Sequence, residues 1–145
     1  MGCDLCVYLP DDGDKDCGMS YSTFNNVRTS IIMLYLKKMG LDDQVVITEN
    51  TAFANIFGIM PRPSYESISK ILESIGTDEG DSMRFFWEHS DCDGSYWYED
   101  CLNIANVIRS ILPMFDEEDP DKAYAEALER TFRYAGEMEG VVEVC

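Results

Sequence analysis

Histidine occurs once in these 145 residues, at His89. General acid–base and triad chemistry most often rest on imidazole, so a single one leaves little catalytic machinery. No glycine-rich phosphate loop is present. Nor is there a nucleophile elbow, since Gly18-Met19-Ser20-Tyr21-Ser22 lacks the second glycine. A Cys–His nucleophile pair would have to use His89, and its near neighbour Cys92 stands between carboxylates that disfavour a thiolate. Basic residues are few, 11 against 28 acidic ones, and duplex or single-stranded nucleic acid would be repelled. No apolar run approaches the length that spans a bilayer. Acids stand at the N-terminus where a signal peptide carries bases, so a cytoplasmic chain with no membrane association is expected. Six cysteines in that setting point to reduced thiols or metal ligands rather than a disulfide framework.

The formal net charge is -17, and it is unevenly spread. Residues 1–72 carry a net charge of -3 and residues 73–145 a net charge of -14. Such a surface attracts a basic protein groove and associates with it rapidly in a salt-dependent way. Solubility alone would also account for it. At this length one domain, 1–145, is expected, with enough apolar content for a core.

The chain reads as mainly α with short terminal strands, an α+β domain of about five helices. Residues 4–9 are rich in strand formers and end at Pro10. Asp12, Asp14 and Asp16 share the spacing of a calcium loop, but Cys17 stands where that loop needs glycine, and a solvated acidic turn is the better reading of 11–18. Ser20 or Ser22 caps a helix whose buried stripe is Phe24, Val27, Ile31 and Leu34; Lys37 and Lys38 suit its negative end and Gly40 stops it. Val45–Thr48 could be a strand and Thr51–Phe57 a short helix. Ser64 caps a further helix with Tyr65, Ile68, Ile71, Leu72 and Ile75 on its buried face, closed by Gly76. An acidic loop, 77–81, leads to a helix from about Ser82 to Glu88. The next helix runs from about Trp97 to Leu112, with Cys101, Ile104, Ala105, Ile108 and Ile111 on one side. Asp116–Asp121 is the strongest charge run, and it precedes a helix to Glu137 with Ala123, Ala127, Leu128, Phe132 and Ala135 inward. Residues 140–145 look like a final strand that could pair with the first.

The most chemically dense stretch is His89-Ser90-Asp91-Cys92-Asp93-Gly94, with Asp100-Cys101 just beyond. Imidazole, carboxylate and thiolate are all metal ligands. His89-x-x-Cys92 has the gap of a zinc half-site, and Cys3-x-x-Cys6 supplies another; together they would close a structural tetrahedral site, with Cys101 as a spare soft ligand. The same stretch resembles an EF-hand loop with Gly94 at position six, Asp93 at five, Asp91 at three and Asp100 at twelve. His89 then falls at position one, where oxygen is expected, which places zinc ahead of calcium. A polar turn that caps two helices, with Cys92 and Cys101 buried as small apolar groups, is the plainer alternative. A zinc hydrolase would use Glu88 or Asp91 as base, but no substrate pocket is legible. The aromatics Phe85, Phe86, Trp87, Tyr96, Trp97 and Tyr98 read as core and rim rather than a stacking site.

The H-S-D-C-D-G turn, the opening Met1-Gly2-Cys3-Asp4-Leu5 and the closing helix-strand resemble small uncharacterised proteins of phages and their bacterial hosts. Such an origin, with strong acidity and no catalytic constellation, implies an anti-defence inhibitor of the anti-CRISPR kind. It would be a non-enzymatic, zinc-stabilised protein that docks on the basic surface of a nucleic-acid-handling effector, such as a CRISPR nuclease, in the host cytoplasm. Asp78, Glu79 and Asp81, with Asp116, Glu117, Glu118, Asp119 and Asp121, would form the contact. An EF-hand-like calcium-binding module and a zinc-dependent hydrolase are the alternatives.

Overall fold

A computed structural model describes residues 2–8, 15–47, 63–90 and 93–144. Among the described residues there are five α-helices and four strands: β1 (Gly2–Tyr8), β2 (Lys15–Ser20), α1 (Tyr21–Lys38), α2 (Tyr65–Ile75), α3 (Asp78–Glu88), β3 (Ser95–Trp97), α4 (Tyr98–Ile111), α5 (Pro120–Glu137) and β4 (Val141–Val144). The fold is mainly α with short strands. The strands form one antiparallel sheet in the order β2-β1-β4-β3, so the N- and C-terminal strands pair, with Leu5 opposite Val144 and Val7 opposite Val142.

Among the described residues, four of the five α-helices begin where the sequence offers an oxygen for their orphan N–H groups, and α4 alone starts without a side-chain cap, after Trp97. The Ser20 hydroxyl accepts from the Thr23 N–H (3.1 Å) and Thr77 Oγ1 accepts from the Gly80 N–H (3.0 Å). Asp119 Oδ1 accepts from the Asp121 N–H (2.9 Å), with Pro120 following as the first helical residue. Gly40 and Gly76 follow α1 and α2 at φ 74° and 71°, a conformation that side chains with a Cβ resist.

Packing makes one buried cluster. The inner face of the sheet contributes Leu5, Met19, Tyr96, Val142 and Val144, and α1, α4 and α5 pack against it. Phe86 and Phe132 meet edge to face (5.8 Å), and Tyr96 lies against Phe132 (5.1 Å). The closest helix pair is α4 and α5: a Cβ on Gly136 would come within 2.5 Å of Leu102 Cγ. Glu129, buried on α5, is neutralised by Arg109 and Arg133.

Several expectations are corrected. Residues 15–18, read as part of a solvated turn, lie in β2, because pairing with β1 satisfies their backbone. The acidic loop 77–81 is the first turn of α3: Asp78, Glu79 and Asp81 sit where the helix dipole favours anions, so they start the helix rather than break it. The last helix but one begins at Tyr98, not Trp97, after a short strand that period-based reading overlooked. Val45–Ile47 makes one isolated bridge, Ile47 to Pro63, after a turn of 3-10 helix at Asp42–Gln44. Tyr65 is half exposed and stacks on Trp87 instead of entering the core, and Ala123 is exposed where Ala125 is buried. Thr48 and the helix expected at Thr51–Phe57 lie outside the described residues.

Candidate functional site

The turn after α3 is built around His89. His89 is the C-cap residue, with extended backbone (φ -66°, ψ 142°), so the chain leaves the helix there. Its ring folds back over the turn. Nδ1 lies 2.8 Å from the Ser90 carbonyl oxygen and Nε2 lies 3.2 Å from the Ser95 carbonyl oxygen. Both ring nitrogens therefore face acceptors, and a neutral ring can donate to just one of them. The ring stacks on Tyr96 (4.1 Å, 21°) and meets Phe85 edge-on (5.1 Å). Gly94 has φ 97°, and a Cβ there would come 2.8 Å from His89 Cε1. Glycine is thus required twice over, by its backbone angle and by the imidazole against it.

Arg28, on α1, holds the start of this turn. Its Nη1 donates to the carbonyls of Phe86 (3.2 Å) and His89 (2.6 Å), and Nη2 donates to Asn25 Oδ1 (2.6 Å). The guanidinium lies 4.9 Å from the Phe24 ring centre and 6.0 Å from that of Trp87. No carboxylate pairs with it among the described residues; its charge is met by the negative end of α3 and by aromatic faces. Sequence reading passed over Arg28, although it lies four residues after Phe24 and three before Ile31, on the buried stripe.

The turn also decides how the sheet ends. The Val144 N–H donates to the Gly94 carbonyl (2.9 Å), so Ser95 occupies the next, non-hydrogen-bonded position and its carbonyl points away from β4. That outward carbonyl is the one His89 Nε2 faces. The imidazole thereby covers an acceptor on the outer edge of β3, which would otherwise invite another strand.

The sequence-predicted metal ligands are placed as follows. Asp100 Oδ1 accepts from the Ser82 hydroxyl (2.7 Å), which also accepts from Asn103 Nδ2 (2.9 Å); Asp100 is thus committed to the seam between α3 and α4. Asp93 is exposed. Cys101 is a fully buried thiol, 3.5 Å from the Tyr96 carbonyl, and burial, with a smaller contribution from the Asp100 charge, pushes its pKa up to about 12. Cys6 sits on β1 opposite Asp16 and Glu143, while Cys3 pairs with Met19. Asp91 and Cys92 lie outside the described residues. Among the described residues no three His, Cys, Asp or Glu side chains come together to hold a metal ion.

The carboxylates gather elsewhere. Asp78 and Asp81 of α3 and Glu99 and Asp100 of α4 line a concavity of about 540 Å³ with Ser82, Leu102 and Asn103. Asp116, Glu117, Glu118 and Asp119, which follow α4 in the chain, line a second, of about 570 Å³. Within the charge run, roles divide. Asp119 caps α5, Asp121 accepts from the Ser30 hydroxyl (3.0 Å), and Glu117 pairs with Lys122 (3.3 Å). Asp116 and Glu118 are exposed and carry no ion pair among the described residues. Glu79 stands beside the buried Tyr35 hydroxyl; burial first, and then that carboxylate, pushes the phenol up to about 12.

Comparison with protein-family models, with curated proteins and with solved structures returns no match. No helix among the described residues is long and apolar enough to cross a membrane.

Proposed function

We propose that this chain is an acidic binding protein that docks on the basic surface of a nucleic-acid-handling effector and blocks nucleic-acid loading, as some anti-CRISPR-type inhibitors do. The observation that carries this reading is the concentration of charge: residues 73–145 hold a net charge of -14, and their carboxylates line both concavities. Clustered anionic groups can stand in for phosphates to a basic groove. Asp116 and Glu118 suit contact, whereas Asp119 and Asp121 serve α5 itself.

The test is a mobility-shift assay of duplex DNA binding by guide-loaded CRISPR nucleases, with this protein as competitor at low and at physiological salt. Wild-type protein should lower the bound fraction, more strongly at low salt. Asp116→Lys with Glu118→Lys should weaken that competition. A bound fraction unchanged at every protein concentration and at both salts would sink the proposal.

The structural zinc expected from the sequence is a separate proposal. It needs the His89 ring to give up at least one of its carbonyl contacts. One equivalent of zinc by native mass spectrometry, lost in Cys92→Ser, would support it; folded metal-free protein from a chelator-free preparation would remove it.

A further inference from the structure

We propose that the outer face of the sheet around Trp97 seats an extended basic segment of a partner protein, with an arginine guanidinium on the Trp97 indole. This rests on the reading that the partner is basic, and it names a contact that the carboxylate clusters do not include.

The helices that touch the sheet cover one face of it, the face of Leu5, Met19, Tyr96, Val142 and Val144. The other face carries Ser95 and Trp97 on β3 beside Glu143 and Val141 on β4, directly across in the pairing. Trp97 is 64% exposed, whereas the second tryptophan, Trp87, is 7% exposed. A single exposed apolar side chain is ordinary. Here the most exposed of the large apolar side chains among the described residues lies on a sheet face that no described helix covers, next to Val141 and within two residues of Glu99.

Two observations choose the occupant. His89 covers the outward Ser95 carbonyl, so a partner lies across the face rather than adding a strand at the β3 edge. A second copy of this chain would bring another net charge of -17 against the first, which disfavours self-association and favours a cationic partner. Glu143 provides the local complement. Trp97 and Ser95 are one strand repeat apart, about 6.7 Å, and Glu143 stands opposite Ser95. An extended segment has the same repeat, so Arg-x-Arg or Arg-x-Lys would set one cation on the indole and the next beside Glu143.

The experiment is a fluorescence titration of the full chain with a synthetic alternating Arg-Thr peptide, at low and at physiological salt. Because Trp87 is buried, changes in quenching by iodide or acrylamide report Trp97. Binding should shield Trp97, and Trp97→Ala should weaken affinity by about twofold to fivefold, the range of an exposed cation–π contact. Trp97→Phe should restore part of it, and circular dichroism checks that each variant is folded. Glu143→Gln should weaken binding further, while Asp116→Lys with Glu118→Lys leaves the shielding of Trp97 in place. Salt-sensitive binding with Trp97 still fully quenchable, and with Trp97→Ala unaltered in affinity, would overturn this seat and leave the acidic docking reading standing. No peptide binding at low salt would overturn both.

Discussion

Arg28 offers the sharpest test of how the turn at residues 89–94 is held. Replacing it with methionine removes a cation that is 8% exposed and lies between Phe24 and Trp87. Two effects oppose. A buried charge carries a desolvation penalty of several kcal/mol, and an apolar replacement of similar volume relieves it. Against this, Phe86 and His89 keep their carbonyls, which then lose a charged donor in a dry setting. Each such loss costs about 1–3 kcal/mol, and the favourable placement of a cation at a helix C-terminus adds up to about 2 kcal/mol. The carbonyls cannot be mutated away, so the second effect wins. We expect Arg28→Met to destabilise the protein by about 2–4 kcal/mol, a fall in Tm on the order of 5–15 °C for a chain of this size. Arg28→Lys should lose about half of that, because an ammonium cannot fork between two carbonyls and an asparagine in the same way. Urea unfolding followed by far-UV circular dichroism measures both. An Arg28→Met variant as stable as the wild type would refute the reasoning, since desolvation of the cation would then be the larger quantity.

Gly94→Ala should cost about 1–3 kcal/mol, because the backbone is at φ 97° and the new methyl meets the His89 ring; chemical denaturation checks this. Gly136→Ala should destabilise by about 1–3 kcal/mol by driving a methyl into Leu102, and Gly136→Ala with Leu102→Ala should show a favourable coupling in a double-mutant cycle. Alkaline pH should unfold the protein between about pH 9 and 12. Both the Tyr35 phenol and the Cys101 thiol titrate near 12 when folded, above their ordinary values of 10.0 and 9.0, so the unfolded chain releases protons first and the stabilisation is lost as pH rises through that window. Tyr35→Phe should flatten the upper part of that loss. The same burial predicts that Cys101 resists thiol-directed reagents at pH 8 in folded protein and reacts in urea; fast labelling of native protein, mapped by mass spectrometry to Cys101, would contradict it.

The helices could be read from the chain because their signals are local. Ser20, Ser64 and Asp119 each offer an oxygen to an N–H two or three residues on, and apolar spacing such as Phe24, Val27 and Ile31 marks a buried stripe before any packing is known. The two terminal strands could be read for the same reason, as short runs of strand formers. What failed lay where a residue's role depends on a distant partner. Lys15–Ser20 and Ser95–Trp97 are too short or too polar to declare themselves, and they become strands through pairing with β1 and β4. Asp78–Asp81 looked like a loop because charge was weighed above the dipole of the helix it begins.

The candidate site divides in the same way. Sequence by itself determined the acidity, the caps and the presence of a His-to-Gly turn, because charge, capping and φ > 0 are properties of single residues and near neighbours. Tertiary structure alone decided what the turn does. It turned the His89 nitrogens onto two backbone carbonyls, brought Arg28 to it from 61 residues away, aimed Asp100 at Ser82, and left Trp97 exposed on the sheet face away from the described helices. Those outcomes depend on which surfaces meet when the core closes. Ligand-type residues at ligand-type spacing therefore carry little information until packing shows which way each one points.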